Sequence, residues 1–278
     1  MGARVSERDH LAKAWHDEVD RTCFSEPTAP MIVVLLVVGG IVPSLLLWGF
    51  FRARGPLGPA RRRVAWVSFG LGALATLPAV LLATPSGVLG SKIADPLAYG
   101  LFGALFTAAV PEETLKLLVL TRYTMRHLEE PLYGAIYGAC AALGFATMED
   151  VLCLVREGGG VAAVRAVTGV PGHAFFGAIL GHYVGRAKFA PAEAHLLIGK
   201  GALIAIGLHA AYDLPLIVIN HPKKVIVAYA DETSVATALL VLSPLVLLGS
   251  GLLAVRLAWL DRKTDRSPSR GAPVAPAP

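Results

Sequence analysis

Residues 196–219 read LLIGKGALIAIGLHAAYDLPLIVI, an apolar run in which His209 and Asp213 stand one helical turn apart. At a rise of about 1.5 Å per residue, such a run is long enough to cross a hydrocarbon core of about 30 Å. An ionised side chain inside it costs about 2.5 to 3.5 kcal/mol on insertion scales, so it faces a protein interior and has a task there. Gly201, Ala205, His209 and Asp213 are spaced by four and share one face of the helix. An acid one turn from an imidazole can fix its tautomer and orientation, or the two can join in a metal site. A buried polar pair that only ties helices together would have the same spacing.

Runs of the same kind recur at about 31–51, 64–84, 98–121, 131–155, 170–188 and 235–258. With 55% hydrophobic and 16% charged residues and a mean hydropathy of +0.60, the composition exceeds what a water-facing surface tolerates. The expected fold class is all-α, a polytopic membrane helical bundle of about seven transmembrane helices. Residues 1–30 are expected to form a polar N-terminal segment, with a short interfacial helix in HLAKAWHDEVDRTCF, and 31–258 the transmembrane domain. Residues 259–278, ending in SPSRGAPVAPAP, are expected to be a disordered tail. The first run is read as an anchor rather than a cleaved leader, because about thirty mostly polar residues precede it and arginines follow it.

Lys and Arg crowd after the first span (Arg52, Arg54, Arg61 to Arg63), the third (Arg122, Arg126), the fifth (Arg186, Lys188) and the seventh (Arg262, Lys263 and beyond). The alternate loops hold only Lys92, then Arg156 and Arg165, then Lys223 and Lys224. That bias puts the C-terminus in the cytoplasm and the N-terminus outside. The net charge of +5 arises from these membrane-flanking residues, and no aromatic-basic motif accompanies them, so nucleic acid is not an expected partner. Cys23, Cys140 and Cys153 form no CxxC pattern and indicate neither a disulfide framework nor a thiolate metal site.

Three further runs carry ionisable residues. PEETLK, Pro111 to Lys116, places Lys116 four residues from Glu112 and three from Glu113, within reach of either carboxylate on a helix. Two adjacent acids repel when both are charged, which favours a division into one acid and one base. The blander reading is a helix start, with proline in the first turn and acids at the positive end of the dipole. In GFATMED, Glu149 lies one turn after Phe145 on a helix that Gly134, Gly138 and Ala142 make smooth enough for close packing; Asp150, about 100° round, reads as an interfacial or capping charge. In GHAFFGAILGHYVG, His173, Gly177, Gly181 and Gly185 form a stripe spaced by four, so His173 faces a neighbouring helix, whereas His182 lies off the stripe and reads as facing the cytoplasmic boundary.

The ordered set of EExxK (Glu112, Glu113, Lys116), FxxxE (Phe145, Glu149), an isolated His173 ahead of a glycine stripe, and HxxxD (His209, Asp213) resembles the PrsW family of intramembrane proteases. With variations it also marks the wider superfamily of type II CAAX prenyl endopeptidases and bacteriocin-processing relatives. The resemblance covers about residues 97–219; the first two spans, the seventh and both termini carry no matching motif. It implies an integral protein of a bacterial cell membrane that hydrolyses a peptide bond of a membrane-tethered protein, such as an anti-sigma factor, near the outer side of the bilayer. One of Glu112 and Glu113 would activate water, the other acid or Lys116 would position it, His173 and His209 would stabilise the oxyanion or bind a metal, and Asp213 would orient His209. Glu149, His173 and His209 are the candidate ligands for a divalent ion such as zinc, which no residue makes certain; glutamate catalysis without an obligatory ion is the preferred reading. A proton-coupled transporter or channel using the same Glu, His and Asp residues is the alternative. The depth of Glu112 and Glu113 along a straight third span would keep them from the other four residues, so the chain is expected to bend or re-enter before Pro111.

Overall fold

The computed structural model describes residue 49 and residues 58–157, 159–219 and 233–265. The apolar run at 31–51, apart from residue 49, and the N-terminal segment lie outside them. The other six runs coincide with helices: α1 (Pro59–Gly90), α2 (Pro96–Phe102) continued by a π-helical stretch (Gly103–Ala109) into α3 (Val110–Arg122), α4 (Pro131–Glu157), α5 (Gly159–Phe189), α6 (Ala194–Ile219) and α7 (Thr233–Asp265). Among the described residues there is no strand. Among the described residues four stretches qualify by length and composition as membrane spans, Pro59–Gly90, Pro131–Cys153, Pro191–Val218 and Val241–Lys263, so the count of about seven is approximate.

Helix α4 is the centre of the bundle: 67% of its most apolar window is buried, against 33% for α1 and 22% for α7. Glycines let the neighbouring backbones approach it on two sides. On α5, a Cβ at Gly177 or Gly181 would overlap the carbonyl oxygen of Gly138 or Gly134, and a Cβ at Gly185 that of Pro131. On α1, Gly72 lies against the carbonyl of Ala141, and Gly144 of α4 against that of Phe69. Where lipid tails are as apolar as leucine, packing of this closeness is what associates helices. The outward faces are apolar, with Leu77, Leu81, Leu203, Leu248 and Leu252 all exposed, as lipid-facing positions should be.

The third run is where the fold departs most from a straight rod. Pro96 follows the N-cap Asp95, whose Oδ1 accepts from Ala98 N at 2.7 Å, and this starts α2. Gly100 and Gly103 then give way to Val218 and Ile217 of α6. Pro111 has no N–H for the carbonyl one turn back, and the seven residues before Val110 widen into a π-helix. The break expected before Pro111 is therefore a change of helical winding within one helical path, rather than a non-helical elbow.

One end of the bundle gathers basic residues. Arg61 at the start of α1 pairs with Glu129 (2.5 Å) and the Tyr133 hydroxyl beside the start of α4, and Lys188 near the end of α5 donates to Arg126 O at 3.1 Å. Arg262 of α7 lines a cavity of about 220 Å³ with Leu132 and Ile136 at the same end. Helix α7 continues to Asp265, past the boundary at 258 expected from hydropathy, because Asp261 turns inward and is buried there.

Candidate active site

The four motif-bearing stretches meet in the half of the bundle away from the basic end. Glu149 lies about 27 Å along α4 from Pro131, and His173 about 24 Å along α5 from Phe189, at 1.5 Å per residue. Glu112 and Glu113 stand in the first turn of α3, directly after the π-helical stretch, and α6 contributes His209 and Asp213. All seven residues, Glu112, Glu113, Lys116, Glu149, His173, His209 and Asp213, belong to one connected cluster.

Lys116 is at its centre and is buried. Its ammonium donates to Glu113 Oε1 at 2.7 Å and to His173 Nδ1 at 2.8 Å, and lies 3.5 Å from Glu112 Oε2 and 4.4 Å from the centre of the Phe145 ring. An ammonium can only donate, so Nδ1 of His173 accepts and the ring's proton sits on Nε2. That nitrogen is 2.9 Å from Glu149 Oε2, close enough to pair although off a hydrogen bond's line. His209 faces acids from both nitrogens: Nδ1 lies 2.9 Å from Glu113 Oε1 and Nε2 lies 3.1 Å from Asp213 Oδ2. Phe176 stacks on its ring, and the two imidazoles meet edge to face with centroids 5.1 Å apart.

The two adjacent acids of PEETLK are thereby separated in kind. Glu113 Oε1 is committed to Lys116 and His209. Glu112 Oε2 is buried, has no hydrogen-bond partner, and looks at His209 Nε2 from 3.9 Å and His173 Nδ1 from 4.0 Å. Glu112, His173 and His209 offer ligand atoms within 4.8 Å of one another, a donor set that suits zinc with a fourth position open. The convergent carboxylate is thus Glu112, while Glu149 stands behind His173. An ion bound to this trio would take the Nδ1 lone pair that Lys116 now uses.

Two charges enter the cluster that sequence reasoning placed elsewhere. Arg165, read as an outer-loop residue, belongs to α5 and lies 2.8 Å from Glu149 Oε1 and 2.9 Å from Asp150 Oδ1. Asp150, read as interfacial, is buried by that pairing. The available signal was spacing: Arg165 and Gly169 extend the stripe of four that runs through His173, Gly177, Gly181 and Gly185. His182, read as facing the boundary, is also buried, with Nδ1 2.7 Å from Asp261 Oδ2.

The profile of the PrsW family intramembrane metalloproteases matches residues 60–248. Protease PrsW of Shouchella clausii is 30% identical over 194 residues, which covers 68% of this chain and 86% of that protein. Protease PrsW of Geobacillus kaustophilus is 30% identical over 64% of this chain and 78% of its own length, and that of Bacillus subtilis 29% identical over 67% and 84%. No solved structure matches the chain.

Proposed function

The chain belongs to the PrsW family of intramembrane proteases and is a peptidase of the membrane; on that premise we propose that Glu112 is the general base of its reaction. The observation that carries this reading is the free oxygen of Glu112, buried and turned toward both imidazoles, while its neighbour Glu113 has Oε1 committed to Lys116 and His209. Only a carboxylate with lone pairs to spare can take a proton from water. Family membership favours peptide hydrolysis over the proton-coupled transporter that the same residues would also suit.

Glu112 removes a proton from water as its oxygen attacks the scissile carbonyl carbon, and later delivers that proton to the departing amide nitrogen. His209, held by Glu113 at Nδ1, turns its Nε2 proton from Asp213 to the carbonyl oxygen as that oxygen gains charge. Lys116 keeps Glu113 and His173 in register and supplies positive charge beside the developing oxyanion. Glu149 fixes the ring of His173 from behind. A divalent ion such as zinc, held by Glu112, His173 and His209, would supply Lewis-acid polarisation of the carbonyl.

The substrate we infer is a single-span membrane protein cut near the outer side of the bilayer, an anti-sigma factor being the kind the family resemblance suggests. The reading is supported by the separation of the cluster from the basic end of the bundle, which the distribution of Lys and Arg assigns to the cytoplasm. The test uses purified full-length protein in proteoliposomes with a single-span reporter tagged on both sides. The wild type should release one fragment, mapped by mass spectrometry to the outer flank, and Glu112→Gln should lose about 100-fold or more in turnover. Wild-type turnover by Glu112→Gln would overturn the assignment of the base, and cuts confined to the cytoplasmic flank would overturn the topology. Cleavage that survives verified metal removal assigns water activation to Glu112 alone, whereas loss restored by zinc assigns a role to the trio.

A further inference from the structure

Arg165 brings a guanidinium to the cluster, and the reaction above makes no use of it. Its Nε donates to Asp150 Oδ1 at 2.9 Å, and its Nη2 lies 2.8 Å from Glu149 Oε1, an ion-pair contact off a hydrogen bond's line. Glu149 therefore sits between two partners, with Arg165 on one carboxylate oxygen and His173 Nε2 on the other at 2.9 Å. The side chain runs along its own helix rather than out from it: a Cβ at Gly169, one turn on, would lie 3.8 Å from Arg165 Cζ and Nη2. Gly169 thus leaves the surface over which the guanidinium passes toward His173, on the face that Arg165, Gly169 and His173 share by their spacing of four.

A tie needed only to join α4 to α5 would be redundant here. Those two helices are already locked by backbone contacts at Gly134, Gly138, Gly177, Gly181 and Gly185. Nor would such a tie need two adjacent acids, one of which also serves an imidazole. The planar fork of arginine suits this double task, because two of its nitrogens can meet two carboxylates at fixed angles where an ammonium would meet one. Asp150, whose side chain is wholly buried, then has a clear part: it anchors the guanidinium so that the remaining nitrogen can hold Glu149.

We infer that Arg165 is a positioning residue of the hydrolytic reaction, acting through Glu149 to hold His173 with its Nε2 proton outward and its Nδ1 lone pair toward Lys116 and the reacting space. The inference rests on the active site proposed above. Without the guanidinium, the adjacent carboxylates of Glu149 and Asp150 repel each other, and Glu149 swings off His173. The imidazole loses its fixed orientation while the surface that holds the substrate is unchanged. The loss therefore falls on turnover rather than on binding.

The test is kinetic, on the full-length protein in proteoliposomes with the same reporter. Arg165→Ala should lower kcat by about 10- to 100-fold, the usual cost of removing a group that orients an active-site histidine, with KM within about twofold of wild type. Methylguanidinium in the buffer should restore part of the rate, since the Arg165 side chain is 25% exposed and the vacated space can be reached. Arg165→Lys should fall between the two, and Asp150→Asn should cost less than Arg165→Ala because one anchor remains. Wild-type kcat in Arg165→Ala overturns the inference, as does a raised KM at unchanged kcat, or a loss that neither methylguanidinium nor the lysine relieves. If Arg165→Ala does not fold, Arg165→Lys and Asp150→Asn decide alone, and wild-type kcat in both overturns it. Glu112→Gln runs in parallel: full cleavage there means that the active-site reading has failed, whereas an inactive Glu112→Gln beside a fully active Arg165→Ala means that only the role of Arg165 has failed.

Discussion

Helix α5 buries two histidines, His173 in the cluster and His182 nine residues on, each beside a carboxylate of another helix. His182 Nδ1 lies 2.7 Å from Asp261 Oδ2, and both side chains are almost wholly inside the protein. No atom of that pair is among the buried polar atoms without a hydrogen-bond partner. His173 has partners as close, Lys116 at 2.8 Å and Glu149 at 2.9 Å, but the acids of its cluster are not used up: Glu112, Glu113 and Glu149 each keep a buried oxygen without a hydrogen bond. Buried polar groups are ordinarily satisfied, and one left open costs about 1 to 3 kcal/mol. Three such oxygens within one cluster therefore mark a place that stability alone would have closed. Burial beside an acid describes both histidines; spare lone pairs distinguish the one that can do chemistry.

The largest expected effect breaks the pair apart by function. His173→Ala should reduce turnover by about 100-fold or more with little change in thermal midpoint, because it removes a reacting-site imidazole from acids that already keep buried oxygens without a hydrogen bond. His182→Ala should do the reverse. Removing the imidazole leaves Asp261 buried without that hydrogen-bond partner, at a cost of about 1 to 3 kcal/mol, so the midpoint falls while turnover per folded molecule stays within about twofold. Thermal melting in detergent and reporter cleavage, measured on the same preparations, check both halves. If His182→Ala lost turnover and kept its midpoint, the contrast drawn from the open oxygens would be mistaken.

Much of this was legible before any coordinates, and the reason is periodicity. Run lengths located the helices, and spacing by four put Gly134 and Gly138 on one helix and Gly177, Gly181 and Gly185 on another into faces that do pack together. The reach of Lys116 to both glutamates followed from helix geometry alone. What a single helix cannot reveal is its partner. Asp150 looked interfacial because its own helix turns it away from Glu149, yet Arg165 returns from α5 to cover it. Arg165 looked like a flanking charge because it stands at the margin of an apolar run. His182 looked peripheral because hydropathy ended the last helix before Asp261, and the ion pair that buries both residues lies beyond that limit. Pro111 announced a break, but its form, a π-helical widening, depends on how Gly100 and Gly103 settle against α6.

A smaller effect sharpens the comparison by moving the cluster without touching it. In Gly181→Ala the new methyl would overlap the carbonyl oxygen of Gly134, between the two histidines along α5. Overpacking of this kind costs about 1 to 3 kcal/mol and is relieved by separating the backbones. Separation opens the contact of His173 with Glu149, which spans α4 and α5, whereas the pair of His182 and Asp261 spans α5 and α7 and is spared. The expected result is a fall in turnover larger than the loss of stability alone would produce. Equal losses in both readouts would mean that the α4–α5 seam holds the fold but does not set the geometry of the site.

The smallest effect tests whether α7 takes part in the chemistry at all. Polar ties of this helix to the rest of the bundle include Asp261 to His182 and, farther from the basic end, Ser243, whose hydroxyl donates to Tyr212 O at 2.7 Å. Tyr212 directly precedes Asp213, and Phe176, which stacks on His209, also meets the Tyr212 ring with centroids 6.3 Å apart. Ser243 is thus one residue removed from the cluster, and its hydroxyl is bonded to a backbone carbonyl of α6. A single hydrogen bond between membrane helices contributes about 0.6 kcal/mol. Ser243→Ala should therefore lower stability by about that amount and leave kcat unchanged, because His209 is held by Glu113 and Asp213 rather than by the backbone tie. Melting and cleavage of the same variant measure it. A drop in kcat of more than about threefold, at an unchanged melting midpoint, would place α7 among the elements that orient His209 and would move the line between the chemical and the structural ends of the bundle.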